Sequence, residues 1–203
     1  MNPRVTLSVL LIITGFIVAL IPVKQTRTLS GRPSVILEKS LSANSIVSTD
    51  QVARYISTDD PGVHFIDLRS PEEYRKSSIP GAQNIPFPEL LKKDPSSYLG
   101  SGKFKNIFYS DGDLEAGYAV VLAGGLGYNN CYSLKGGLYA FVGTINDTAF
   151  CGKTITAREN ATLESRMRAG NLFREMNSLP DSLKAKYLES KKFHPKKLDG
   201  GCN

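Results

Sequence analysis

The sequence predicts an α/β fold in which a central parallel sheet is flanked by helices. Short strand-like segments alternate with helical ones through the middle of the chain, the pattern of a parallel sheet with crossover helices. One of them, Val63-His64-Phe65-Ile66-Asp67-Leu68, reads as apolar along its length, as strands covered on both faces do. A third observation is the stretch Asn106 to Ala119: an apolar run, Ile107 to Tyr109, then a glycine-containing turn, then an Ala-rich helical segment. A strand, a turn and a helix N-terminus in succession point backbone N–H groups at whatever occupies the loop.

The elements follow in order. Val5 to Val23 carries no charge, with Arg4 before it and Lys24 after it. Its length matches a hydrocarbon core, about 20 residues at about 1.5 Å each. It is long for a cleaved signal and lacks a small-x-small cleavage pattern, since Leu20-Ile21-Pro22-Val23 is bulky. Residues 1–24 are therefore expected to be an uncleaved single-pass membrane anchor. The short positive tail before the apolar run resembles an export signal and favours an extracytoplasmic domain, whereas Lys24, Arg27 and Arg32 after it favour the cytoplasmic side. The expectation adopted is extracytoplasmic.

Residues 25–44 are polar and Ser-rich, a linker. A folded domain is expected over 45–147. Ser48-Thr49-Asp50 offers an N-cap to a helix through Ile56, and Asp59-Asp60-Pro61-Gly62 is a turn before the apolar strand. Ser70-Pro71-Glu72-Glu73 is a helix start, with Pro at N1 and acids on the positive end of the dipole. Ile79-Pro80-Gly81-Ala82 is a turn, Gln83 to Pro86 an edge-like strand, and Phe87 to Leu91 the start of a helix. After the central stretch, Gly124-Gly125-Leu126-Gly127 ends a helix and Cys131 to Leu134 is a strand. Residues 148–203 form a basic helical tail. Leu163, Met167, Gly170, Phe173 and Met176 make a helical stripe, Pro180 stops it, and Asp181 caps a helix over Ser182 to Ser190.

Composition narrows the function classes. A chain of 203 residues with 41% hydrophobic and 22% charged residues has globular composition, and its net charge of +6 comes partly from tail lysines such as Lys184, Lys186, Lys191, Lys192, Lys196 and Lys197. No nucleic-acid motif accompanies them, so a solvated tail or contact with anionic lipid is expected. His64 and His194 are the sole histidines, and Cys131, Cys151 and Cys202 show no metal-ligand spacing. No metal and no cofactor is expected. Cys202, one residue from the C-terminus, reads as an exposed candidate functional thiol.

Three motifs carry a resemblance: Ile66-Asp67-Leu68-Arg69-Ser70-Pro71-Glu72-Glu73-Tyr74, then Ile79-Pro80-Gly81-Ala82 with Asn84-Ile85-Pro86, then Gly127-Tyr128 with Leu134-Lys135-Gly136-Gly137. Together, in this order, they resemble a rhodanese homology domain over roughly Ser45 to Thr144. The resemblance implies a parallel α/β domain whose active members carry a persulfide on a cysteine at the end of the central strand, in a six-residue loop closed by arginine. It also implies that Asp67 and Arg69 hold a turn together. Here the cysteine position is Ser110, the loop reads Ser110-Asp111-Gly112-Asp113-Leu114-Glu115, the closing position is Glu115, and Ser78 stands where the motif usually has histidine.

A hydroxyl cannot carry a persulfide, no base of the motif neighbours it, and three carboxylates disfavour an anionic substrate. The expected function is thus a membrane-anchored, non-catalytic binding or scaffold protein. Its partners would be the bilayer and a membrane protein, with no nucleic acid and no small-molecule substrate. The alternative is a sulfurtransferase or sulfur carrier that uses Cys202. A weaker third reading makes Asp111, Asp113 and Glu115 a cation site.

Overall fold

The computed structural model describes residues 3–19, 34, 45–90, 92–99, 104–149 and 154–191. Five strands form one sheet, every pairing parallel: β1 (Ile46–Val47), β2 (Val63–Asp67), β3 (Gln83–Asn84), β4 (Lys105–Tyr109) and β5 (Cys131–Leu134), in the order β1-β5-β4-β2-β3. The central parallel sheet flanked by helices is as the sequence predicts.

Strand alternation sends side chains to two cores. Phe65, Ile107, Tyr109 and Leu134 face one side, where they pack with Val52, Ala53 and Ile56 of α2 (Thr49–Ser57) and Leu138, Phe141 and Ile145 of α6 (Gly137–Asn146). Ile66, Phe108 and Cys131 face the other, against Leu90 of α4 (Phe87–Leu90) and Ala116, Ala119, Val120 and Ala123 of α5 (Leu114–Gly125). The register sets Phe65 beside Ile107 and Asp67 beside Tyr109, so β2 and β4 end together and deliver Arg69 and Ser110 to one edge.

The helix starts follow their caps. Ser48 caps α2 in a reciprocal box with Gln51, and Ser70 caps α3 (Pro71–Lys76) in a box with Glu73. The C-terminal helix α7 (Ala157–Ser178) begins earlier than the apolar stripe suggests, because Thr156 and Glu159 form a third capping box. Its buried residues are Ala169, Gly170, Phe173 and Met176, with Ala169 and Phe173 joining the first core. Met167, expected on the buried stripe, is exposed. Helix α8 (Asp181–Ser190) starts from Pro180, with Asp181 as its first residue rather than its cap. Lys184, expected in a solvated run, is buried at 3% relative exposure.

The N-terminal apolar segment gives α1 (Pro3–Ala19), 17 residues long, on which Leu7, Leu10, Leu11, Ile12 and Phe16 are exposed. Among the described residues no helix is long and apolar enough to cross a membrane. The remainder of the expected span, Leu20 to Val23, lies outside the described residues, as do the linker apart from Ser34, Leu91, Cys151 and Cys202.

His64 lies on β2 at 2% exposure, its Nδ1 3.4 Å from Asn106 Oδ1. Burial pushes its imidazole down from 6.5 to about 4, outweighing hydrogen bonds that favour the charged form. The folded state keeps His64 neutral between those values while the unfolded state takes up a proton. Stability is therefore complete above 6.5 and falls as pH drops through this window, by roughly 3 kcal/mol in the limit. Denaturant unfolding from pH 7 to pH 5 should show this slope, and His64→Gln should flatten it.

Candidate functional site

The site is built where β2 and β4 end. Asp67, fully buried, closes β2, and Arg69 two residues on folds back onto it: Nε donates to Asp67 Oδ1 at 3.0 Å and Nη2 to Oδ2 at 2.6 Å. The Arg69 backbone N–H also donates to Asp67 Oδ1, at 2.9 Å. Burial by itself would lower the guanidinium's pKa. The hydrogen bond and charge of Asp67 outweigh it, so Arg69 is held above its ordinary value. Its remaining donors reach outward, Nη2 to the Ser77 carbonyl at 2.6 Å and Nη1 to Asp111 Oδ1 at 3.4 Å. Asp67 and Arg69 form a structural clamp that also touches the loop.

Ser110 leaves β4 directly after Tyr109 and is 7% exposed. Its carbonyl accepts from Leu138 N–H at 2.8 Å, which ties the loop to the start of α6. Gly136 and Gly137, at φ +71° and +61°, form the turn into that helix. A Cβ on Gly137 would lie 2.4 Å from the Asp111 carbonyl oxygen, so the turn can approach the loop backbone only as glycine. The Lys135-Gly136-Gly137 motif is in this way a requirement of the loop's packing.

Helix α5 begins at Leu114, earlier than the Ala-rich pattern suggests, and this puts Glu115 on its first turn. From there the Glu115 carboxylate reaches back and accepts a hydrogen bond from the Ser110 hydroxyl, Oγ to Oε2, at 2.5 Å. The sequence-based expectation that no base neighbours Ser110 is corrected here. A closing residue one helical turn above the strand end points into the loop, and an acid there meets the hydroxyl directly.

The other two carboxylates have separate partners. Asp113 stands at the N-cap position of α5 without capping its own helix, and instead accepts from Gly136 N–H. Asp111 meets Arg69. The three acids therefore diverge, and among the described residues no cluster of His, Cys, Asp or Glu is placed to hold a metal ion. The cation reading has no geometry behind it. Cys131 is buried at 4% exposure, and desolvation pushes its thiol up to about 12, which removes the thiolate at neutral pH. Cys202 lies outside the described residues.

The class this defines is a small parallel α/β domain with its central strand running into a loop that opens a helix. Residues 48–144 match the family model described as Rhodanese-like domain. Thiosulfate:glutathione sulfurtransferase of Saccharomyces cerevisiae is 28% identical over 114 residues, covering 51% of this chain and 82% of that protein. Among solved structures, the rhodanese-like domain of the Anabaena sp. Alr3790 protein is 23% identical with a TM-score of 0.45, covering 55% of this chain and 89% of that one. The human single domain sulfurtransferase is 24% identical with a TM-score of 0.41, covering 49% and 96%.

Removing one member of the buried pair leaves the other charged and unpaired. Asp67→Asn should cost about 3–5 kcal/mol in denaturant unfolding. The double change Asp67→Leu with Arg69→Met, which removes both charges, should cost clearly less.

Proposed function

We propose that this rhodanese-like domain works by binding and not by persulfide transfer at its loop, as an accessory subunit held at a membrane by its apolar N-terminal segment. The observation that carries the reading is the bond between Ser110 and Glu115. The two positions at which the family resemblance implies a thiol and an arginine hold a hydroxyl and a carboxylate, joined to each other. An anionic sulfur donor would meet negative charge there and no nucleophile able to accept sulfur.

The surroundings support a contact surface. Leu114 and Tyr118 lie one turn apart on α5, and Tyr139 stands on the first turn of α6, all exposed. The loop beside them is tied down at the Ser110 carbonyl by Leu138 N–H and at the Asp113 side chain by Gly136 N–H. Exposed apolar and aromatic side chains on a fixed backbone are what a protein partner can bury. Membrane association rests on the uncharged run Val5 to Val23 and on the exposed apolar residues of α1.

The yeast relative favours a second reading, in which sulfur is carried after all. Ser110 cannot hold it and Cys131 is buried, and the carrier in this reading is Cys202, the candidate thiol of the C-terminal tail. Transfer of sulfur from thiosulfate to cyanide separates the two. The full chain should be inactive, and Ser110→Cys with Glu115→Arg should gain turnover. Turnover by the unaltered chain that Cys202→Ser abolishes would overturn the binding reading in favour of the carrier.

A further inference from the structure

The segment from Arg75 to Ile79 joins α3 to the Ile79-Pro80-Gly81-Ala82 turn and belongs to no regular element after Lys76. Its backbone polar groups are held by side chains from four other places. Lys184 of α8 donates from Nζ to the Arg75 carbonyl at 2.6 Å and the Lys76 carbonyl at 3.3 Å. Arg69 donates to the Ser77 carbonyl at 2.6 Å. Asn177 of α7 takes both groups of Ser78, accepting from its N–H through Oδ1 at 3.0 Å and donating to its carbonyl through Nδ2 at 3.0 Å. The Ile79 N–H donates to the Tyr109 hydroxyl at 3.1 Å.

Two of these four side chains also flank the loop. Tyr109 immediately precedes Ser110, and Arg69 reaches Asp111. The other two come from the C-terminal helices and touch each other, Lys184 Nζ to Asn177 Oδ1 at 2.7 Å. Lys184 is buried at 3% exposure, and among the described residues its hydrogen-bond partners are carbonyl and amide oxygens, with no carboxylate. A buried ammonium held by carbonyl and amide oxygens is costly, and is best placed at a helix C-terminus, where orphan carbonyls and the dipole are both negative. Arg75 and Lys76 close α3 and supply that end.

We infer that Lys184 and Asn177 are positioning residues for the loop. Docking of α7 and α8 fixes the Arg75–Ile79 joint, the joint fixes Arg69 and Tyr109, and these two hold Asp111 and Ser110 in place. The C-terminal helices and the loop then respond as one unit. A partner that engages α8 alters the loop, and one that engages the loop stabilises the docking of α8, by the reciprocity of linkage. The binding role of the loop rests on the function proposed above. The coupling itself does not, and it is tested without any partner.

The test is hydrogen exchange of the full chain, read by mass spectrometry over peptides covering Ser77 to Ile79 and Ser110 to Gly117. Lys184→Met leaves the Arg75 and Lys76 carbonyls without their donor. Lys184→Gln, which keeps one amide donor, is the milder step should the first not fold. Val52→Ala, in the core beneath α2, is the control for general loss of stability. At equal loss of melting temperature, the Lys184 variants should speed exchange in the Ser110 to Gly117 peptide by roughly tenfold over the control. Exchange there that matches the control would overturn the inference, whatever the sulfur-transfer assay shows. Acceleration confined to α8 and Ser77 to Ile79 would overturn it equally.

Discussion

The ion pair between Asp67 and Arg69 lies where β2, the loop after β4 and the joint after α3 converge. Both side chains are buried, and Arg69 distributes its donors to Asp67, Ser77 and Asp111. A buried guanidinium is tolerated only while its charge and its hydrogen-bonding hydrogens are matched. That requirement fixes the directions in which three segments leave the sheet edge. The edge is thus rigid before any question of chemistry arises. Glycine at position 137 then allows the β5–α6 turn to press against the loop backbone, closing the remaining side.

Within this frame the loop's side chains are paired with one another and with neighbouring segments. A reactive thiol in such a place would gain from helix N–H groups and a nearby cation, both of which stabilise a thiolate. In this chain Arg69, which reaches the loop at Asp111, is engaged by Asp67, and the residue one turn into α5 is an acid that binds the strand-end hydroxyl. Hydroxyl and carboxylate satisfy each other, and Asp113 is taken up by the turn before α6. The loop's polar side chains are thus paired with the protein's own groups, while Leu114 and Tyr139 are exposed.

Much of the fold was legible because its signals are local. Strand β2 is read from a continuous apolar run, α3 from Ser70 and Pro71 at its start, and the edge position of β3 from Pro86 beside it. The early start of α7 had a local signal too, Thr156 with Glu159, which an argument from apolar spacing alone passes over. The site was legible only in its residue types. That Ser110 and Glu115 would touch depends on α5 starting at Leu114, a boundary the Ala-rich pattern blurs. The role of Lys184 was not legible at all. Its partners Arg75 and Lys76 are about a hundred residues earlier, and in sequence it is one lysine in a basic run. Charge counts cannot separate a solvated lysine from one buried on a helix end.

The central claim is the one proposed above, that this domain acts by binding and that no residue of its loop carries sulfur. The most direct measurement is mass spectrometry of the intact chain and its peptides after incubation with thiosulfate, with each cysteine scored for an added sulfur atom. The expected result is no persulfide on Cys131, Cys151 or Cys202. A persulfide that forms on any of them and is discharged by an acceptor thiol would contradict the account, and would make the sulfur chemistry of the yeast relative the frame for this chain as well.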